Sequence, residues 1–219
     1  MKYTISITMA IIFTIMSCGN SKKESSMNEK NQNLTETKEN DLEQIEVAII
    51  STEFGDMVIE FFDDVAPNHV ESFKLHAKSG YYDGTIFHRV IPGFMIQGGD
   101  PNTKGENKAS YGMGGHAAKY FGIGNESEPK TWTIPAEFNN KTHTRGVLSM
   151  ARSNNPNSGG SQFFICAASA PHLDGQYTVF GQVIQGDKII EQIVNLPRDA
   201  RDNPNKRIEM KVNLDTRTK

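Results

Sequence analysis

The feature that most constrains this chain is the run FHRVIPGFMIQGGD, which begins at Phe87. Phe87, Arg89 and Ile91 stand at alternate positions before a Pro-Gly corner, and Met95 and Gln97 stand at alternate positions after it. This alternation predicts two strands joined by a tight corner. One surface then carries an arginine, which keeps its charge, and an amide among large apolar side chains. The run offers no nucleophile, metal-ligand set or phosphate-binding loop, so we expect chemistry that buries an apolar group beside a hydrogen-bond donor.

Three further runs supply more amides and aromatics on predicted strands. They are GVLSMAR from Gly146, SQFFIC from Ser161 and LDGQYTVFG from Leu173. In this order and spacing, the four runs resemble the cyclophilin family of peptidyl-prolyl cis-trans isomerases, and the resemblance covers residues 45–214. It implies a mainly β fold, a closed eight-stranded antiparallel β-barrel capped by two α-helices. It also implies isomerisation of X-Pro bonds without a cofactor, with proline-containing unfolded or extended polypeptides as partners.

The resemblance assigns roles to particular side chains. Arg89 matches the family's catalytic arginine, and Gln97 matches an amide that orients it. Rotation about a prolyl bond has a barrier of about 18–20 kcal/mol, set by amide resonance. A hydrogen bond from Arg89 to the prolyl nitrogen forms only when that resonance is broken, so it stabilises the transition state more than the ground state. The residues that match the proline pocket and substrate groove are Phe94, Met95, Ala151, Arg152, Gln162, Phe164, His172, Leu173 and Tyr177.

Three positions depart from the best-known members. His172 stands where those proteins carry a tryptophan important for cyclosporin binding, and Tyr177 replaces a histidine of the pocket. Arg152 stands where many members have asparagine, and the turn after it is one residue longer. These differences leave the catalytic chemistry in place, but leave drug binding and the preferred residue before proline open.

Other functions predict other sequence features. A non-catalytic proline-peptide binding module or holdase would have lost the arginine or the pocket aromatics. A lipid-anchored barrel that carries a small apolar ligand would need a cavity inside the barrel. The six histidines include no H-x-x-x-H pair and no cysteine cluster accompanies them, so no metal site is expected. Cys166 lies in an apolar strand without a neighbouring base, which is typical of an inert buried thiol.

The amino terminus has the pattern of a lipoprotein-type signal peptide over residues 1–17. Lys2 gives a positive start, and the uncharged stretch that follows is too short to span a membrane. The tetrapeptide that ends at Cys18 resembles a lipobox, in which the cysteine becomes the acylated first residue. An ordinary signal peptide with an incidental cysteine is the alternative. We therefore expect an exported protein, lipid-anchored to a bacterial membrane and facing the periplasm.

Residues 18–44 are polar and contain few apolar side chains, which predicts a disordered tether, or alternatively a solvated helix. The isomerase domain then covers residues 45–219. The formal net charge of −3 gives no general attraction to nucleic acid. The chain has two cysteines, and lipidation of Cys18 would leave Cys166 without a disulfide partner. We expect a monomer.

The periodicity predicts two helices, one beginning at Pro67 and ending near Gly80, and one over 186–194. A long polar, glycine-rich loop is expected over 101–131. Its Gly112-Met113-Gly114-Gly115 stretch lacks the strand-to-helix context of a nucleotide-binding loop, so we interpret it as surface loop. The predicted strands cover 45–51, 57–62, 85–90, 94–98, 134–138, 147–152, 163–166, 178–183 and 207–214.

Overall fold

The computed structural model describes residues 44–218. The predicted signal peptide, the acylation site at Cys18 and nearly all of the predicted tether lie outside the described residues. None of the helices in the described part of the chain is long and apolar enough to cross a membrane.

In the described part of the chain, eight strands form one sheet in which every pair of neighbours is antiparallel. Its order is β3-β4-β6-β5-β7-β2-β1-β8. The strands are β1 Gln44–Thr52, β2 Gly55–Phe61, β3 Arg89–Ile91, β4 Met95–Gly98, β5 Val147–Met150, β6 Phe163–Cys166, β7 Val179–Gln185 and β8 Lys211–Thr218. The mainly β class with eight antiparallel strands and two helices is therefore confirmed.

Within residues 44–218, two α-helices accompany the sheet, as expected. Helix α1 spans Pro67–Lys78, begins at the predicted proline and buries one face, including Val70 and Phe73. The carboxylate of Glu137 accepts hydrogen bonds from the first free amides of α1, those of Asn68 and His69, both at 3.0 Å. Helix α2 spans Asp187–Val194 and buries an isoleucine stripe.

The two faces of the sheet carry separate apolar clusters. Ile96, Ile165 and Leu148 lie opposite one another on β4, β6 and β5, and belong to the main core together with the buried face of α1. On these strands the neighbouring positions face the other way, because side chains alternate along a strand. Met95 and Phe164 accordingly belong to a second, smaller cluster. The sheet thus has a core on one face and an apolar surface available for binding on the other.

The strand predicted over 134–138 is wrong. Ile134 is buried and makes a single bridge to Gly159, but the next residue is a proline, which has no amide hydrogen to continue a ladder. The amides of Ala136 and Glu137 donate to side chains instead, to Asn157 Oδ1 at 2.8 Å and Thr178 Oγ1 at 3.1 Å. The side-chain pattern of this segment predicts a strand, because that pattern does not show which groups the backbone amides bond to.

The sheet is not closed by a continuous ladder, so the closed barrel stays a prediction. Strands β3 and β8 are its two edges. The segments that precede them approach through one bridge, between Ile86 and Glu209. The amide of Val90, in the middle of β3, donates to the carbonyl of Asp202 at 2.9 Å, so a turn rather than a strand covers part of this edge.

Candidate active site

The register of four strands brings three of the predicted site residues into one row with Ser149. Arg89 on β3 lies opposite Gln97 on β4, Gln97 lies opposite Phe164 on β6, and Phe164 lies opposite Ser149 on β5. Directly opposed residues of an antiparallel sheet share a face, so this row lies on the same face as Met95. Residues that are far apart in sequence meet because the strands pair in this order.

A cavity of about 190 Å³ lies over this row, and we call it the strand cavity. Met95, Phe164 and Leu173 are at least nine-tenths buried and form its apolar floor. Nine of the eleven predicted catalytic and substrate-binding residues line it: Arg89, Phe94, Met95, Gln97, Ala151, Arg152, Phe164, Leu173 and Tyr177. An apolar depression beside a guanidinium and an amide is the arrangement that the sequence predicted.

The guanidinium of Arg89 is half-exposed and has no tight carboxylate partner among the residues that the structure describes. Asp202 is the acid paired with it, and its Oδ2 lies 3.9 Å from Arg89 Nε, at the outer limit of an ion pair. The other oxygen of Asp202 takes a closer bond, 3.1 Å, from Arg198. A purely structural arginine would be held by its carboxylate, whereas Arg89 keeps donor capacity for a bound group.

A chain of amides orients Arg89. Arg89 Nη1 donates to Gln97 Oε1 at 3.4 Å, Gln97 Nε2 donates to Gln162 Oε1 at 3.0 Å, and Gln162 Nε2 donates to the carbonyl of Gly114 at 2.7 Å. The direction of each bond fixes the orientation of the next amide. Gln162 thereby connects the strands to the long loop, and it does not line the strand cavity itself.

A second, larger cavity of about 280 Å³ adjoins the first, and we call it the loop cavity. It shares Gln97, Ala151 and Arg152 with the strand cavity. The rest of its wall comes from the segments 112–115 and 158–162, mostly glycine and serine, together with Ser153. The sequence pattern of 112–115 indicates only a surface loop, and it does not predict this cavity because the sequence does not show which loops fold against the sheet.

Three comparisons with known proteins bear on this site. Residues 47–213 match the family model for cyclophilin type peptidyl-prolyl cis-trans isomerase/CLD. A Brucella abortus protein named Probable peptidyl-prolyl cis-trans isomerase is 40% identical over 172 residues, which are 77% of this chain and 83% of that protein. A Synechococcus elongatus peptidyl-prolyl cis-trans isomerase is 43% identical over 150 residues, 68% of this chain and 88% of that protein.

A solved structure of a peptidyl-prolyl cis-trans isomerase is also similar to this chain. It is a cyclophilin type peptidyl-prolyl cis-trans isomerase of Cryptosporidium parvum, crystallised in the presence of the dipeptide Ala-Pro. It aligns with a TM-score of 0.65 and 34% identity, over 79% of this chain and 99% of that one. This chain belongs to the cyclophilin family.

The three departures from the best-known cyclophilins occupy different parts of the site. His172 is exposed on the rim, with its ring centroid 5.6 Å from that of Phe94, and it lines neither cavity. Tyr177 packs edge-on against Phe164 at 5.9 Å. The guanidinium of Arg152 lies over the Tyr177 ring, 4.4 Å from its centroid. Of the assigned site residues within 44–218, His172 is thus the one that lies outside both cavities.

A buried polar group that the sequence pattern did not predict supports the floor of the strand cavity in this cyclophilin. The ring of His143 stacks on Phe164, its Nδ1 donates to Asp174 at 2.9 Å, and its Nε2 lies 3.0 Å from Ser149 Oγ. Ser149 is fully buried and also lies 3.0 Å from the carbonyl of Thr178, so its hydroxyl is no nucleophile. The Ser-His-Asp set therefore positions Phe164.

Cys166 is buried under the same cluster. Burial, with a smaller contribution from Asp174, raises the pKa of its thiol to about 12. Because the thiolate is the reactive form, this cysteine has no nucleophilic role at neutral pH.

Proposed function

We propose that this cyclophilin accelerates the cis-trans rotation of X-Pro bonds in exported proteins by holding the proline in the strand cavity beside Arg89. Phe94, Met95 and Phe164 supply apolar surface for the ring, and Leu173 and Tyr177 complete the pocket. The observation that carries the proposal is the position of Arg89, with free donor capacity at the edge of an apolar floor. The Cryptosporidium parvum relative, crystallised in the presence of Ala-Pro, supports a proline-containing ligand.

The chemistry needs no covalent step. When the prolyl amide twists, its nitrogen regains a lone pair and becomes a hydrogen-bond acceptor. Arg89 can donate to that nitrogen because its planar fork stays charged and is oriented by Gln97. The bond is absent in either planar ground state, so it lowers the barrier rather than tightening binding of one isomer.

A non-catalytic peptide-binding module is the competing function for the same cavity. It would need the apolar floor but not an arginine with unsatisfied donors. This protein has both the apolar floor and an arginine with free donors, which favours catalysis. The third alternative, a carrier of a small apolar ligand, needs space inside the sheet, whereas the core face is filled by large buried side chains such as Phe73, Phe163 and Phe180.

The test compares the full-length protein with two variants in an isomerisation assay on a blocked Ala-Ala-Pro-Phe peptide. We expect Arg89→Ala to lower kcat/KM about 100- to 1,000-fold, the loss typical for one transition-state donor, with an unchanged circular dichroism spectrum. Arg217→Ala removes the same charge and side chain from β8 and should keep wild-type turnover. Wild-type catalysis by Arg89→Ala would contradict the role of Arg89, and binding without turnover by the wild type would favour the holdase.

We also propose that the protein is exported and lipid-anchored to a bacterial membrane through Cys18, facing the periplasm. The support is the leader pattern over residues 1–17 and the polar residues that follow it. The expected result is incorporation of labelled fatty acid into the wild type in bacteria and none into Cys18→Ser. Equal labelling of both would contradict acylation at this cysteine.

The closed barrel is the form that we propose for the sheet in solution. Three hydrogen bonds join the segments before β3 and β8: Gly84 to Met210 at 3.0 Å, Met210 to Thr85 at 2.8 Å, and Phe87 to Ile208 at 3.2 Å. Slow amide exchange at Phe87 and Met210, comparable with that in β1, would support closure. Exchange at the rate of exposed loop amides would contradict it. Gel filtration tests the expected monomer.

A further inference from the structure

Arg152 occupies the ridge between the two cavities. It contributes to the wall of the strand cavity and to the wall of the loop cavity. Because the cavities share this wall, a single extended peptide with its proline in the first can place a side chain from a nearby residue in the second. Consecutive Cα atoms are only 3.8 Å apart, so that residue lies within a few positions of the proline.

The side chain of Arg152 is held in one orientation. Its Nε and Nη2 both donate to the carbonyl of Gln176, at 3.0 and 2.9 Å, and its Nη1 donates to the carbonyl of Ser153 at 2.9 Å. The ring of Tyr177 lies beneath the guanidinium. These contacts fix the cation before any ligand arrives, so little conformational entropy remains to be lost on binding.

The charge of Arg152 is not balanced by an acid. Its guanidinium forms no ion pair with a carboxylate of residues 44–218, and no aspartate or glutamate lines either cavity. Arg89, the other cation of the strand cavity, does face a carboxylate, that of Asp202. Carbonyl groups satisfy the donors of Arg152 but leave its net charge in place, so the ridge carries an uncompensated positive charge.

The walls of the loop cavity suit a short charged or polar side chain. They consist largely of glycines 112, 114 and 115 and of serines 158 and 161, with Met113 exposed at the mouth. Such a wall gives little apolar surface for a large hydrophobic residue. Among residues 44–218, Arg152 is the only charged residue in the wall of the loop cavity.

We propose that Arg152 makes this cyclophilin selective for X-Pro segments that carry an aspartate or glutamate within two residues of the proline, with the acidic side chain in the loop cavity. The inference rests on the proposed function, and it names the substrate class of that same site. At the separations that a cavity of this size allows, an exposed pair of opposite charges should raise kcat/KM for an acidic peptide over its neutral counterpart by about three- to tenfold at low salt. The preference should weaken as ionic strength rises.

The experiment uses peptides with blocked, uncharged ends that differ only at one position. Glu, Gln or Lys is placed at each of the two positions before and the two positions after a single proline. The ratio of kcat/KM for Glu over Gln is measured at low and high salt with the wild type, Arg152→Lys, Arg152→Gln and the charge-matched control Arg217→Gln. Calorimetric binding of the same peptides gives a second readout that does not depend on turnover.

We expect a Glu/Gln ratio of about three to ten at one of the four positions, and a Lys/Gln ratio below one there. Arg152→Lys and Arg217→Gln should retain the preference, and Arg152→Gln should bring both ratios close to one. Equal ratios at every position in the wild type, or a preference that survives in Arg152→Gln, would overturn the proposal while leaving the isomerase function intact. If no peptide is turned over, the isomerase function fails, and the binding ratios still decide the selectivity.

Discussion

The strand cavity and the loop cavity are neighbours that share a wall, but they are built differently. The strand cavity is lined mainly by large side chains, and their positions follow from strand register. The loop cavity is lined mainly by glycines and serines, so its shape is set by the backbone of two loops. A side-chain truncation should therefore damage the first, whereas an added Cβ atom should damage the second.

Each cavity also has a buried histidine behind it. His143 supports the strand cavity through Phe164. His76, on α1, supports the loop that walls the loop cavity, because its Nε2 lies 2.8 Å from the carbonyl of His116, the residue that follows Gly115. The two histidines give separate means of testing the two regions.

Among the variants that compare the supports of the two cavities, the largest effect is expected at the strand cavity. His143→Leu keeps much of the side-chain volume but removes the hydrogen bonds to Asp174 and Ser149. We expect it to lower the free energy of unfolding by about 3 kcal/mol, measured by urea denaturation, because a charge-assisted bond is lost and a buried hydroxyl loses a partner. With Phe164 no longer held, kcat/KM should fall about tenfold, a little over 1 kcal/mol.

Asp174→Asn is the matched variant, because it keeps an acceptor oxygen in the same place and removes only the charge. It should lose less stability and less activity than His143→Leu. Unchanged turnover by His143→Leu would show that Phe164 does not depend on the polar set beneath it.

The next effect is on the loop cavity. Gly115 has φ of +110°, and a Cβ atom there would lie 2.5 Å from Ser161 Oγ, which donates to the carbonyl of Gly99. Gly115→Ala should cost roughly 2–3 kcal/mol of unfolding free energy through backbone strain and this contact. Its kcat/KM should fall for peptides that extend beyond the residues next to proline, and stay within about twofold for a blocked Ala-Pro dipeptide.

Gly122→Ala is the control for Gly115→Ala. Gly122 has a similar left-handed φ of +86°, but no atom of the described residues lies within 4 Å of the added Cβ position. It should show backbone strain alone, about 1 kcal/mol, with unchanged activity on both peptides. Equal losses of turnover for long and short peptides in Gly115→Ala would contradict the separation of the two cavities.

The smallest expected effect is a pH dependence of stability. Burial lowers the pKa of His76 to about 4, from an ordinary value near 6.5. Between these two values the unfolded chain binds a proton that the folded chain does not, so stability is present above pH 6.5 and is lost as the pH falls toward 4. At pH 5 the titration of His76 should lower the free energy of unfolding by about 2 kcal/mol relative to its value above pH 6.5.

His76→Gln keeps a donor toward the carbonyl of His116 and cannot titrate. The difference between the unfolding free energies at pH 7 and pH 5 should therefore be about 2 kcal/mol smaller in this variant than in the wild type. Parallel pH profiles for the two proteins would show that another group causes the acid sensitivity.

The contents of the strand cavity could be predicted from the sequence to a large extent. Alternation placed Arg89, Met95 and Gln97 on the correct face, and the proline at the start of α1 marked its first residue. Both signals are local, since they depend on the pleat of a strand and the fixed φ of proline. The assignment of Gln162 to the substrate groove stays a prediction; its amide donates to the carbonyl of Gly114 and lines the loop cavity.

The tertiary structure decided those contacts that the local sequence pattern does not show. The segment 134–138 has the side-chain pattern of a strand, yet its amides donate to Asn157 and Thr178, which only the folded chain brings near. The same holds for His143 behind Phe164, and for Arg152 between two cavities without a carboxylate partner. The sequence by itself determined the family, its isomerase activity and the apolar face of the strands. Which loops meet that face, and which charges stay unbalanced beside it, depend on contacts between distant residues.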